Sequence, residues 1–320
     1  MIRREVAWRI LSMEFTTGNK NYVQNTGTTS SDVNGNQYQN DEYGVNYVIT
    51  PFGARVNRVY VCGQLESFTP TDSPNAEQYT GIITDLTGSI SFKTSNFSKI
   101  IDSDRIDEMK DTSGREVIVA IIGKYQLEPS TIISGNSGID VAQSQSNVYQ
   151  QYIKVETVKI VDRSMYNRWL LETYYDLIAR IDFMSENLKT INKLDGFVTN
   201  KLDKKINGKI VYFSDSFREY RDLLNEQYLM NVKERLQNDV KSYFSSIRDR
   251  VNEQLTASVK VRIKELTSNG KSEIPRDVLR KEVDISDDKF STILDVLNKN
   301  GEILITKNGL KYIGDVSSNK

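Results

Sequence analysis

VNRVYVCGQLESF (residues 56–68), followed by YTGIITDLTGSISFKTS (residues 79–95), is the stretch of this 320-residue chain that decides its fold. The first run is β-branched and aromatic, as half-buried strands are, and its internal Gly63 marks a bend or bulge. The second run divides at Asp85-Leu86-Thr87-Gly88, a tight-turn signal between two alternating segments, and so reads as a hairpin. Residues 96–112 (NFSKIIDSDRIDEMKDT) read as a polar helix. REVIVAIIGKYQLE (115–128) is a buried strand with a second internal glycine, Gly123. A polar loop follows over 129–147. YQQYIKVETVKIVD (149–162) is the last strand, with apolar residues at Ile153, Val155 and Val158. The order is strand, hairpin, helix, strand, strand. That is the layout of a five-stranded Greek-key barrel of the oligonucleotide-binding (OB) fold, here over residues 45–162. Glycines within its first and fourth strands suit the coiling of a small closed barrel.

Outward from the barrel, residues 1–44 form an N-terminal segment. RREVAWRILSMEF (3–15) predicts a short helix, or a strand packed on the barrel. Residues 16–44 are rich in Asn, Gly, Thr, Ser and Gln, with too few aliphatics to offset chain entropy, and predict a mobile loop. Residues 163–255 predict a helical region. Trp169, Leu170, Tyr174, Leu177, Ile178 and Ile181 recur at helical spacing. Asn207-Gly208 interrupts the pattern, and a longer helix covers about 214–254, with Ser214 as N-cap. Its length exceeds that of an ordinary globular helix, which implies a partner or a spacer role. Residues 256–314 have the rhythm of a winged helix: three short helices (TASVKVRIKELTSNG, IPRDVLRKEVD, SDDKFSTILDVLNKNG), then a hairpin turning at Lys307-Asn308-Gly309. Residues 315–320 are a tail. The fold class is therefore α+β.

Composition removes several chemistries. The chain has no histidine and one cysteine, Cys62. A structural zinc site, a Ser-His-Asp or Cys-His nucleophile and an intrachain disulfide are all excluded. There is no clustered acidic motif, phosphate loop or dinucleotide fingerprint, so the reading is of a non-enzyme with no metal or cofactor. Cys62 lies in an apolar run and reads as a small buried hydrophobe. No apolar run nears the roughly 20 residues that span a bilayer, and the charged N-terminus is not a secretory signal. The expectation is a cytoplasmic protein without a membrane partner. The formal net charge of −1 argues against a stand-alone nucleic-acid binder that relies on charge, while leaving room for a local basic groove.

Three segments, RREVAWRILSMEF, NYVITPFGARVNRVYVCGQL and TDLTGSISF, resemble the archaeal replication protein A-associated family. Its members open with a similar Arg-Glu-Val-Ala segment. They continue into Asn-Tyr-Val-x-Thr-Pro-x-Gly-Ala-Arg-Val-Asn-Arg-Val, here Asn46 to Val59. The resemblance covers residues 3–15 and about 46–165. It implies an OB barrel, often with a C-terminal winged helix, in a single-stranded-DNA-binding complex of replication and repair. The chain departs from the family in its polar insert at 16–44. It also reads Phe92-Lys93-Thr94-Ser95 where relatives have Tyr-Ala-Gly. The winged helix is similar in kind to the one ending the middle subunit of eukaryotic replication protein A.

Such barrels stack bases on aromatics and guide phosphates with cations. The candidate nucleic-acid-binding residues are Arg55, Arg58, Tyr60, Tyr79, Phe92, Lys93, Phe97, Lys124 and Tyr125. Strand parity weighs on them. Phe92 shares a face with Ile90 and so leans toward the core, whereas Lys93 and Ser91 face outward. Thr50-Pro51-Phe52-Gly53 reads as a turn closing the barrel floor. The lysines at 189, 193, 201, 204, 205 and 209 read as a solvated face diluted by Asp195 and Asp203. The third C-terminal helix begins Ser286-Asp287-Asp288-Lys289. Acid at that position would repel phosphate, so the winged helix reads as a protein-recruiting module.

Together these imply a subunit of a replication protein A-like complex. Its expected partners are single-stranded DNA, other replication protein A subunits, and replication or repair proteins met through the winged helix. The alternative is an assembly or adaptor protein with a structural barrel and little DNA binding of its own.

Overall fold

A computed structural model describes residues 6–16, 47–71, 78–95, 116–129, 149–193, 202–268, 273–283 and 285–314. But for end residues, the loops expected at 16–44 and 129–147 and the helix expected at 96–112 lie outside the described residues. The chain divides into two compact units, Met1–Asp239 and Val240–Lys320.

In the first unit, strand β1 (Trp8–Arg9) and helix α1 (Met13–Thr16) are followed by short strands β2 (Val48–Ile49) and β3 (Arg55–Val56). Five long strands come next: β4 (Arg58–Pro70), β5 (Gln78–Asp85), β6 (Gly88–Ser95), β7 (Ile118–Pro129) and β8 (Tyr149–Ile160). β4 pairs antiparallel with β5, and β5 with β6 across the Asp85–Gly88 turn. β6 pairs parallel with β8, β8 antiparallel with β7, and β7 antiparallel with β4. The last pairing closes a five-stranded, OB-like barrel in the order β4-β5-β6-β8-β7. Alternation sends Val59, Val61, Leu65, Ile83, Ile90, Phe92, Val119, Ile121 and Ile153 inward, all nearly inaccessible. Each contributes about 1.5–3 kcal/mol of burial. Gly123 lies at a register shift against β8, where a Cβ would press into the Lys154 carbonyl.

The N-terminal segment uses both of the conformations weighed for it. β1 runs parallel to β4 (Trp8 beside Val59), while Ile10 and Phe15 enter the barrel core. Asp85 fixes it in place. One carboxylate oxygen accepts the Ser12 N–H at 2.7 Å, and the other accepts the Thr87 N–H and hydroxyl, both at 2.7 Å. Burial pushes this carboxyl above its ordinary range, and these hydrogen bonds oppose that.

Helix α2 (Arg163–Lys193) covers β4 and β7 with Trp169, Leu170, Leu177 and Ile181, all buried. Hairpin β9 (Lys204–Ile206) and β10 (Lys209–Val211) turns at Asn207-Gly208, and helix α3 (Phe213–Glu219) follows. The Thr50–Gly53 turn is held by this region. Gly53, at φ 75°, offers its carbonyl to the Tyr212 N–H at 2.9 Å, and Pro51 accepts from Ser216 Oγ at 2.7 Å. Ser214 is not a helix N-cap. Tyr212 holds that position, and Asp203 Oδ1 accepts the Ser214 N–H at 3.3 Å.

Helix α4 runs unbroken from Glu226 to Ser268. It passes through residue 255, where the sequence divides the helical region from the C-terminal helices. No glycine or proline lies there, and the Thr256 hydroxyl bonds back to the Asn252 carbonyl at 2.8 Å within the helix. The helix begins at residue 226 because Asn225 Oδ1 accepts the Tyr228 N–H at 2.8 Å.

In the second unit, the end of α4 joins α5 (Arg276–Glu282), α6 (Asp287–Lys299) and the hairpin β11 (Ile303–Ile305) and β12 (Leu310–Tyr312). Val259, Ile263, Leu279, Phe290, Leu294, Leu297, Ile303 and Leu310 form its core. Ser286 precedes α6 in extended conformation but makes no side-chain capping bond. Among the described residues, no helix is long and apolar enough to cross a membrane, and no acidic or Cys cluster could hold a metal ion.

Candidate nucleic-acid interface

The barrel register assembles a basic row. β6 sets Lys93 beside Lys154 on β8, β8 sets Lys154 beside Lys124 on β7, and β7 sets Lys124 beside Arg58 on β4. Thr80 on β5 continues the row beyond Lys93. Neighbouring strands lie about 4.8 Å apart, so the three lysine backbones span ~10 Å of barrel wall. Each lysine alternates with an inward residue: Phe92 and Thr94 around Lys93, Gly123 and Tyr125 around Lys124, Ile153 and Val155 around Lys154. The same parity that builds the core turns these cations outward. Lys124 and Lys154 are exposed. Arg58 is paired with Glu156, two residues along from Lys154, so its charge is locally neutralised.

The row ends in a groove of about 280 Å³ lined by Thr71, Tyr79, Lys93, Thr94, Tyr152 and Lys154, among others. Tyr79 is half-buried and stacks on Phe68 (centroids 4.7 Å, planes 7° apart). The Lys93 ammonium lies 4.1 Å from the Tyr152 ring centroid. Thr71 accompanies the lip, its N–H donating to the Gln78 carbonyl at 2.8 Å. The groove therefore offers one partly exposed aromatic ring, Tyr79, with two ammonium groups and several hydroxyls along one wall, while Tyr152 is buried beneath Lys93. These groups suit a polyanion with flat rings.

Of the candidates from sequence, Lys93, Lys124 and Tyr79 meet on this surface, with Arg58 at its neutralised end. Four others do not join it. Phe92 is 1% exposed, inside the barrel, and cannot offer a face to a ligand. Tyr125 is buried and stacks on Phe15 at 4.5 Å, because its parity matches Ile121 rather than Lys124. Tyr60 lies under α2, edge-on to Trp169, whose indole N–H donates to the Tyr60 carbonyl at 3.3 Å. Burial raises its phenol pKa, with Cys62 and Glu172 adding to the effect. Arg55 sits between the Tyr47 and Tyr212 rings, 5.0 Å from each, and serves as a clip between β3 and the α3 region. Phe97 lies outside the described residues.

Tyr152 and Lys154 are absent from the candidates drawn from sequence. The alternation at Ile153 and Val155 already turns Lys154 outward. The parallel pairing that brings it to Lys93 has no local signal. Lys209 also departs from its expected solvated role. Its Nζ donates to the Ala7 carbonyl at 2.9 Å and lies 4.4 Å from the Trp8 centroid. Desolvation, with Arg9 nearby, lowers its pKa to about 8. Lys204 and Lys205 on the same hairpin are exposed.

No family model and no curated protein matches this chain. Solved structures similar to it include three at low scores. A replication protein A heterotrimer bound to ssDNA is 14% identical over 42% of this chain and 77% of that one, with a TM-score of 0.23. Yeast Stn1 and Ten1 are 14% identical over 52% and 63%, with a TM-score of 0.21. Asparaginyl-tRNA synthetase from Pyrococcus horikoshii is 12% identical over 74% and 67%, also at 0.21. At such scores the fold rests on the strand register itself.

Proposed function

We propose that this chain is a single-stranded-DNA-binding subunit of a replication protein A-like complex serving replication and repair. The barrel lays the strand along the Lys93–Lys154–Lys124 row, with the partly exposed Tyr79 ring at the groove end available to a base. The observation that carries this reading is that row, formed by residues from three strands in direct register. It answers the objection from net charge, since cations gathered on one wall attract phosphate whatever the chain's total. The role is binding, not catalysis.

The C-terminal unit serves, in this reading, as a winged helix that recruits proteins. Asp287 and Asp288 open α6, and Leu304 and Ile313 are 48% and 56% exposed on and beside the hairpin. The adaptor reading keeps one specific support. Three aromatics that might have held bases, Tyr60, Phe92 and Tyr125, are spent inside the first unit.

The decisive experiment is fluorescence anisotropy of a labelled oligothymidylate with the whole chain, at two salt concentrations, alongside a Lys93→Glu/Lys154→Glu variant. Salt-sensitive binding lost in the variant supports DNA binding. Absence of binding by the wild-type chain alone and with replication protein A subunits would sink it.

A further inference from the structure

The inward phase of β8 slips once. Val155 and Val158 are both buried, three residues apart where a regular strand steps by two. The ladder against β7 shifts at the same place: Gly123 pairs with Val155, but Ile122 pairs with Thr157. Glu156 is the extra residue of this β-bulge. It and Thr157 both lie off the core, Thr157 exposed and Glu156 partly so. Bulges re-aim side chains. This one delivers a carboxylate to the wall on which Lys154, Lys124 and Arg58 stand in register.

That carboxylate reaches across β7 to Arg58 on β4. The contact is single-pronged. One terminal guanidinium nitrogen meets Glu156 Oε2, and among the described residues Arg58 Nε is buried with no hydrogen-bond partner. A two-pronged pair would lock the guanidinium, whereas this one leaves it with donors to spare. The two side chains are 18% and 30% exposed, so a strand lying on Lys154 and Lys124 comes within reach of both. A carboxylate and a phosphate offer a guanidinium the same charge and the same kind of acceptor. Resting on the DNA-binding reading, we propose that Glu156 is a built-in phosphate mimic: it occupies Arg58 and withholds the fourth cation of the row from the strand. The bulge thereby holds the barrel's grip below what its four cations could exert, which keeps a bound strand exchangeable.

The test carries the labelled oligothymidylate titration across a salt series with four full-length chains: wild type, Glu156→Gln, Arg58→Gln and the double variant. Glutamine keeps the shape of Glu156 and an acceptor for Arg58, and matching melting curves check that the fold is intact. Glu156→Gln should bind about fivefold more tightly at low salt. Its slope of log affinity against log salt should steepen by about 0.7, the mark of one further phosphate contact. In the Arg58→Gln background the same change should leave the slope as it was, because the cation it would release is gone. Equal steepening with and without Arg58 would mean a general loss of negative charge from the wall and would overturn the inference. So would a Glu156→Gln chain that binds as wild type does. A wild-type chain that binds no strand takes down the DNA-binding reading and this inference together; wild-type binding without the Arg58-dependent steepening takes down this inference alone.

Discussion

Arg180 and Glu14 face each other in a two-pronged salt bridge, at 2.6 and 2.9 Å, with 2% and 0% of their side chains exposed. The pair ties α2 to the N-terminal segment. Phe52's carbonyl and Thr50's hydroxyl approach it at 3.4 Å, and the Trp8 ring lies 5.6 Å from the guanidinium carbon. Removing one partner strands the other charge in the interior. Glu14→Ala should therefore lower unfolding free energy by about 3–5 kcal/mol in urea titrations. The double variant Glu14→Leu/Arg180→Met should lose much less. A Glu14→Ala cost below about 1 kcal/mol would count against a buried charge pair.

Each lysine of the barrel row should register in the salt dependence of single-strand binding. Alanine at Lys93, Lys124 or Lys154 should make the slope of log affinity against log salt shallower by about 0.7. Arg55→Ala, at a guanidinium already enclosed by two tyrosine rings, should leave that slope as it is. An unchanged slope in all three lysine variants would remove the row from the interface.

The thiol of Cys62 is buried, and burial raises its pKa to about 12. A folded chain at pH 8 should therefore resist alkylation by small thiol reagents, and labelling should follow global unfolding as urea is added. Rapid labelling in native buffer would contradict this.

Lys209 and Cys62 pull stability in opposite directions with pH. Lys209 falls from 10.5 to about 8 in the folded chain. Between those values the unfolded chain holds a proton that the folded chain lacks, so this residue's contribution to stability rises with pH. Cys62 rises from 9.0 to about 12, so above pH 9 the folded chain holds the extra proton and stability falls. Thermal melts of a Cys62→Ala variant should show Tm climbing, relative to Cys62→Ala/Lys209→Met, from pH 8 to pH 10. A flat difference would mean that Lys209 keeps its ordinary proton affinity.

The barrel was legible because its signals are local. The Asp85–Gly88 turn, the alternation in β6 and β8, and glycines where strands crowd all lie within a few residues of what they determine. The basic row was only half legible. Lys93 and Lys124 could be found by parity on their own strands, but Lys154 links them by pairing antiparallel beside Lys124 and parallel beside Lys93, the latter about 60 residues away in sequence, which no turn dictates. Tyr60 and Tyr125 misled for a related reason. Tyr60 does point away from the barrel core, yet α2, from a later region, covers it. Tyr125 follows the inward phase of β7 and meets Phe15, from a segment more than 100 residues earlier. Helix α4 continues through residue 255, where the Thr256 and Ser258 hydroxyls bond to carbonyls of the preceding turn.

The barrel's five ladders are unequal. β7 and β8 are zipped along nearly their whole length, but β6 and β8 meet only at Phe92–Ile153 and Lys93–Lys154 among the described residues. A hoop parts first at its clasp, and this clasp has a lysine on each side. A polyanion resting on both would draw them together, so the ligand would act as the rivet of the wall on which it lies. Amide exchange at residues 92–93 and 153–154 would then slow on loading more than anywhere else in the barrel.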